Sequence, residues 1–258
     1  MIRYAILGSG SSGNSYIINY KESSILLDAG FSLRQIKERV AQSEIDFSTI
    51  KALFITHLHP DHARGAGVFA RQSGIPVYLH HRINDTLKAF SSLRIPPHLT
   101  QFFHVGKPIK VGDFTITSFH TRHDSPYSVG FFITIEHKSF LLLTDTGIVE
   151  PKMIEYAHKS NVLFLEANYD VAMLENGPYP YQLKRRIQGP LGHLSNNDAI
   201  TLLNTMNSTM AEKVYFCHLS KTNNRVDLLD QLIQKELIWR GETTICHHGN
   251  FYSSHLDI

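Results

Sequence analysis

Short apolar runs open the chain. Residues 2–7, residues 15–18 and Ser24-Ile25-Leu26-Leu27 each predict a strand. Leu33 to Gln42 carries apolar residues at 33, 36 and 40, a helical stripe. Ala52 to Ile55 reads as a buried strand, and a helix is predicted through Ala63 to Ser73 with Asp61 as its N-cap. A strand over 75–79 and a helix across 82–92 follow. From 111 to 146 the pattern turns into a β-meander, with strands over 111–119, 128–135 and 139–145. Beyond it, strands and helices alternate: a helix at 151–159, a buried strand at 162–165, a structured loop over 176–192 punctuated by glycine and proline, and a helix from about 196 to 207. A strand at 214–217, an amphipathic helix at 226–239 and a short tail with His247, His248 and His255 complete the pattern. No internal repeat is visible.

Composition narrows this picture. The 258 residues are 42% hydrophobic and 19% charged, enough for one large domain over 1–258. The first residues read as a strand and not as a signal peptide, and no apolar run approaches the roughly 20 residues needed to cross a bilayer. No membrane association is therefore expected. Cys217 and Cys246 lie in apolar surroundings and are expected to be reduced thiols of a cytoplasmic protein. A net charge of +2 does not by itself announce a nucleic-acid binder. The 16 histidines do stand out, and only their placement can sort them.

The densest placement is His57-Leu58-His59-Pro60-Asp61-His62, directly after the buried strand. Three imidazoles and a carboxylate make a poor core, because every polar atom needs a partner. They make a good metal site. Side chains two apart on an extended segment point the same way, so His57 and His59 can reach one ion together. Asp61 and His62 would turn toward a second ion at the strand-to-helix corner.

Other chemistry-bearing residues also fall at strand ends. Asp28 follows the third strand, either as a helix cap or as a carboxylate that steadies the ligand loop. His120 and His123 follow the first meander strand, and spacing alone leaves the choice between them open. Asp145 ends the meander, Glu166 ends the 162–165 strand and His218 ends the 214–217 strand. His80 and His81 are left outside the site, since nothing in their spacing couples them to the ligand loop. Gly8–Asn14 is either a flexible turn or a loop whose small residues, Ser11, Ser12 and Asn14, let a phosphate approach. Lys184-Arg185-Arg186 is either a solvated basic turn or a phosphate track.

His-x-His-x-Asp-His after an apolar strand resembles the metallo-β-lactamase superfamily, whose members hydrolyse lactams, thioesters and phosphodiesters. The segments Gly8–Asn14, Leu26–Gly30, His57–His62, His123-Asp124-Ser125, Thr144–Gly147, 165–196 and His218–Asn224 together resemble its YycJ/WalJ branch. That resemblance implies a single-domain, four-layer αβ/βα sandwich of the α/β class. It also implies a metal-dependent 5′→3′ DNA exonuclease linked to DNA repair, with RNA not excluded as substrate. The family pattern selects His123 over His120. On this reading His57, His59 and His123 hold one metal, and Asp61, His62 and His218 hold a second. Asp145 bridges the two together with a water. Imidazole with carboxylate suits Zn²⁺ and tolerates Mn²⁺ or Fe²⁺.

Glu166-Ala167 and Gly192-His193-Leu194-Ser195 resemble the paired Glu and His of RNase Z and the β-CASP nucleases. This implies catalytic roles for His193 and Glu166 beside Asp61; Ser195 and, on the phosphate-track reading, Lys184, Arg185 and Arg186 would contact the substrate. A histidine held by a carboxylate can protonate a phosphodiester's leaving oxygen. Three other functions remain open: a thioester hydrolase resembling glyoxalase II, a phosphodiesterase for cyclic or short nucleotides, and a non-enzymatic metal-binding interaction module, which would need no activated water.

Overall fold

The computed structural model describes residues 1–206 and 210–258. The first half runs β1 (Ile2–Gly8), β2 (Ser15–Tyr20), β3 (Ser23–Leu27), α1 (Leu33–Gln42), β4 (Ile50–Phe54), α2 (Pro60–Ala63), α3 (Ala66–Ser73), β5 (Val77–His80), α4 (Leu87–Leu93) and β6 (Thr100–Phe103). The second half runs β7 (Ile109–Val111), β8 (Phe114–His120), β9 (Val129–Ile135), β10 (Lys138–Leu143), α5 (Pro151–His158), β11 (Val162–Glu166), α6 (Val171–Asn176), α7 (Tyr181–Gln188), α8 (Asn196–Asn204), β12 (Lys213–Cys217), α9 (Val226–Glu236), β13 (Glu242–Ile245) and β14 (Tyr252–Leu256).

The described strands form two seven-stranded mixed sheets, ordered β14-β1-β2-β3-β4-β5-β6 and β13-β12-β11-β10-β9-β8-β7. Both sheets are covered on two faces, which is why their strands read as unbroken apolar runs. In β1, Tyr4 and Ile6 enter the core between the sheets, while Ala5 and Leu7 enter the layer under α1 and α3. In β11, Val162 and Phe164 face the central core, and Leu163 and Leu165 pack beneath α5 and α8. The result is a four-layer αβ/βα sandwich. Among the described residues, no helix is long and apolar enough to cross a membrane.

Several elements differ from the sequence pattern. Asp61 is not an N-cap. His59 caps a one-turn helix that holds Pro60 and Asp61, and a second helix starts at Ala66 after Gly65. Lys184-Arg185-Arg186 is not in a loop but within α7, between the punctuating prolines and Gly189. The predicted tail contains two strands, because β14 pairs antiparallel with β1 at the opposite end of the chain. The helix predicted to reach 207 is described to Asn204, and position 207 lies outside the described residues. Cys217 and Cys246 are free and buried, with sulfurs 3.9 Å apart.

The topology positions the site. β3 and β4 are parallel, as are β10, β11 and β12, and β8 shares their direction through antiparallel β9. All six strands therefore end at one edge, and every sequence-predicted ligand follows one of these ends.

Candidate functional site

The ligand loop leaves β4 at Thr56, and one buried carboxylate organises it. Asp28 accepts the Thr56 N–H at 2.8 Å, the Thr56 hydroxyl at 2.9 Å and the His62 Nδ1–H at 2.7 Å. Thr56 Oγ1 in turn lies 3.0 Å from His57 Nδ1. Asp28 thus fixes the ring orientation of both His57 and His62 and leaves their Nε2 atoms for an ion, as outer partners of metal ligands do. It caps no helix, since Ser32 caps α1. Asp28, Asp145 and His218 all adopt left-handed backbone, with φ of 60°, 58° and 58°. Each turns sharply off its strand at a cost of about 1–3 kcal/mol. Gly30 meets a different need. A Cβ there would collide with the Asp61 carbonyl, so its role is close approach to the ligand loop.

Two groups of nitrogen and oxygen donors converge. His57, His59 and His123 form the first, with ligand atoms within 4.8 Å of one another. His123 donates its Nδ1–H to the Gly192 carbonyl at 3.0 Å, which turns Nε2 inward. Asp61, His62 and His218 form the second group, and His218 Nε2 lies 3.4 Å from Asp61 Oδ2. Asp145 stands between them: Oδ2 is 3.1 Å from His62 Nε2 and Oδ1 is 3.6 Å from His123 Nε2.

The electrostatics fit a pair of cations. His57 Nε2 is buried without a hydrogen-bond partner. Burial and the neighbouring His62 hold His57 well below the ordinary imidazole range, so its lone pair is available. At His62 burial alone would lower the pKa, but the Asp145 and Asp28 carboxylates outweigh it and lift the ring to about 10. At His218 burial is likewise outweighed by Asp145, Asp61 and Glu166, and the pKa rises well above its usual value. The Asn14 amide, 3.0 Å from His62 Nε2, favours a lone pair there, whereas Asp145 favours a proton. The full charge of the carboxylate outweighs the amide dipole in the metal-free protein. A metal ligand must be deprotonated, so cations held there would displace these protons. Loading metal-free protein at pH 7 with Zn²⁺ is therefore expected to release about one to two protons. Calorimetry in buffers of different ionisation enthalpy reads this directly. Affinity should fall as pH drops, and a proton count of zero would mean that His62 and His218 are already neutral.

Above the two groups opens a cavity of about 270 Å³, walled by Ser11, Asp61, His193, Lys221 and the inner face of α7. His193 donates its Nδ1–H to Glu166 Oε1 at 2.7 Å, so its Nε2 is free for the cavity. Glu166 is fully buried and accepts the Thr146 N–H at 3.0 Å and the Leu194 N–H at 3.3 Å. Burial raises the Glu166 pKa, but His193 and His218 outweigh that and keep the carboxyl ionised. Gly147 lets this happen, because a Cβ there would strike the Gly189 carbonyl in the segment that carries His193.

The substrate residues read from the sequence scatter. Ser11 lines the cavity. Ser12 is exposed, and its carbonyl accepts from Arg64. Asn14 is buried, with its amide 3.3 Å from Asp61 Oδ2, so it positions the second donor group and does not face substrate. Ser195 caps α8 and pairs with Asp198 at 2.6 Å. Three consecutive residues cannot share one helix face. Arg186 therefore lines the cavity with Leu183 and Ile187, Lys184 donates to the Glu175 carbonyl at 2.8 Å, and Arg185 is exposed away from the walls. Arg186 pairs with Asp124, whose Oδ1 lies 3.5 Å from His59 Nε2. Thr56 and Asn168 were missed by sequence reasoning. Asn168 donates to the His218 carbonyl at 2.8 Å. The available signal was a polar residue ending an apolar strand.

Known proteins resemble this chain in sequence and fold. The family described as "Beta-lactamase superfamily domain" matches residues 23–219. Exodeoxyribonuclease WalJ of Streptococcus pneumoniae serotype 2 is 35% identical over 241 residues, covering 91% of this chain and 90% of that protein. Exodeoxyribonuclease YycJ of Bacillus anthracis is 30% identical over 240 residues, covering 93% and 90%. The metallo-β-lactamase fold protein YhfI from Bacillus subtilis superposes with a TM-score of 0.71 over 98% of this chain and 99% of its own, at 20% identity, a likeness of fold. With the donor groups at the shared strand edge and this identity along nearly the whole length, the chain belongs to the metallo-β-lactamase superfamily, in the family of the WalJ and YycJ proteins.

Proposed function

We propose that the chain is a dinuclear-metal phosphodiesterase that removes nucleotides from the 5′ end of DNA. The observation that carries this reading is the Glu166–His193 pair, 2.7 Å apart, at the wall of the cavity over the two donor groups. The names of the WalJ and YycJ relatives, exodeoxyribonucleases, support it. His57, His59 and His123 would hold one cation, Asp61, His62 and His218 the other, and Asp145 both; Zn²⁺ or Mn²⁺ suits these donors, with Fe²⁺ tolerated. Cations bound there supply charge to the phosphate oxygens and acidify an attacking water.

The chain's own residues do the rest. Arg186 and Ser11 line the cavity, where they would meet phosphate oxygens. Glu166 holds the His193 ring so that a proton at Nε2 can pass to the leaving oxygen. Leu183 and Ile187 form an apolar wall that limits water. Removing nucleotides from a strand end is a step in replacing damaged DNA, and we place the enzyme in that process, in the cytoplasm. The test is linear DNA labelled at its 5′ end, incubated with the purified chain and Mn²⁺ or Zn²⁺. Labelled mononucleotides should appear first, and closed circular DNA should stay intact. Hydrolysis of a thioester, with DNA untouched, would reject the reading.

A further inference from the structure

A second cluster of histidines lies beside the catalytic cleft and takes no part in it. β4, β5 and β6 are parallel neighbours, so their C-terminal ends share an edge. β4 delivers the ligand loop, β5 ends in His80, and His104 follows β6. His120 ends β8, three residues before His123. Around these rings opens a cavity of about 720 Å³. Ring centroids lie 4.6 Å apart for His80 and His81, 4.0 Å for His81 and His104, and 6.0 Å for His80 and His120. Tyr127, on the same loop as His123, stacks on His80 at 5.0 Å.

The hydrogen bonding decides what this cavity can take. His80 is buried, and its Nδ1 accepts the Arg82 backbone N–H at 3.1 Å. A neutral His80 therefore carries its proton on Nε2. A metal-ligating imidazole has the opposite arrangement, with its second nitrogen donating. His80 is thus a donor and not a ligand. Burial, with His81 and His120 close by, pulls its pKa down to about 4, so the ring is neutral near pH 7. His81 Nδ1 is buried with no hydrogen-bond partner. Lys107 is an exposed wall residue with no ion pair among the described residues. The rim carboxylate, Asp85, is committed to Arg82 at 3.1 Å and Tyr127 at 2.7 Å. Tyr127 is already covered by His80 and Arg82, so the cavity offers an imidazole N–H, an uncommitted imidazole nitrogen and the Lys107 ammonium, a setting that suits a phosphate oxygen.

We propose that this cavity binds a backbone phosphate of the DNA strand held in the catalytic cleft, a few nucleotides from the bond that is cut. The inference rests on the nuclease reading. Tyr127 is four residues from His123, hence at most about 15 Å away. That reach covers at most a few nucleotides of one strand.

The test uses the metal-loaded full chain and His104→Ala/Lys107→Ala. Both side chains are exposed, and an unchanged circular-dichroism melt checks the fold. Fluorescence anisotropy measures affinity for phosphorothioate single strands of two and of twelve nucleotides across a salt series. The variant should bind the twelve-mer about tenfold more weakly, with a salt slope shallower by about 0.7 for each phosphate that is no longer neutralised. Its affinity for the dinucleotide and its hydrolysis of bis-p-nitrophenyl phosphate should match the unmutated chain. Equal loss on both lengths, no loss on the twelve-mer, or affinity independent of length, as for a free-phosphate site, would overturn the proposal. So would an extra equivalent of bound Zn²⁺ that the double substitution removes. Cleavage of 5′-labelled DNA by the unmutated chain runs alongside. If that cleavage is seen and the twelve-mer result is negative, only this inference fails; if it is absent, the nuclease reading falls and takes the inference with it.

Discussion

Asp145→Asn is expected to lose both metals and all measurable hydrolysis. Asp145 is the residue whose two oxygens reach both donor groups, 3.1 Å from His62 Nε2 and 3.6 Å from His123 Nε2. Burial raises its pKa, but His218 and His62 outweigh that and hold it well below the usual carboxylate range, so it enters the site as an anion. Asparagine tolerates the φ of 58° and has nearly the same volume, so the substitution removes charge and little else. Asp28→Asn is the internal comparison. Asp28 orients His57 and His62 from behind, and loss of such an outer partner typically costs about 10–100-fold in metal affinity. Asp145→Asn should exceed that range, while Asp61→Ala should spare the His57–His59–His123 group and lose the other ion. Metal content after dialysis, with competition binding, separates the three. Two retained equivalents and full activity in Asp145→Asn would end the dinuclear mechanism.

The second large effect concerns His193. His193→Ala should lower kcat by about 10²–10⁴ with metal content unchanged. The defect should shrink on bis-p-nitrophenyl phosphate, whose leaving group needs no proton. There is a structural rival, because Asp145, Glu166, His193 and His218 also bring ligand atoms within 4.8 Å of one another. If His193 is a ligand, the variant loses an ion and is impaired equally on both substrates. Glu166→Gln is not equivalent to His193→Ala. Glu166 Oε1 also lies 3.2 Å from His218 Nδ1, so Gln disturbs a donor of the second group as well as the His193 ring. It should therefore weaken metal binding, which His193→Ala leaves intact.

Some of this was legible in the chain itself. His57-x-His59-x-Asp61-His62 after an apolar run is local: ligand type, strand period and turn all lie within six residues. Strand-end placement of Asp145, Glu166 and His218 was equally local, since an apolar run that stops at a polar side chain marks a sheet edge. Apolar runs also set most strands, whereas the four layers followed from the family resemblance. Tertiary structure decided what depends on long-range pairing or helix phase. β14 carries a weak half-buried pattern and becomes a strand because β1, at the far end of the chain, leaves an edge open. The basic triplet reads as one patch in sequence, but α7 rotates its members to different faces, and Arg186 is the one turned to the cavity. Asn14 and Ser195 look like substrate residues until burial and capping claim them. His80 and His81 had no local partner, because His104 and His120 come from another strand end and the other sheet. A sequence reports the side chain and its immediate period; which strand ends meet at one edge is set by sheet order, and that is fixed only when the two sheets close on their shared core.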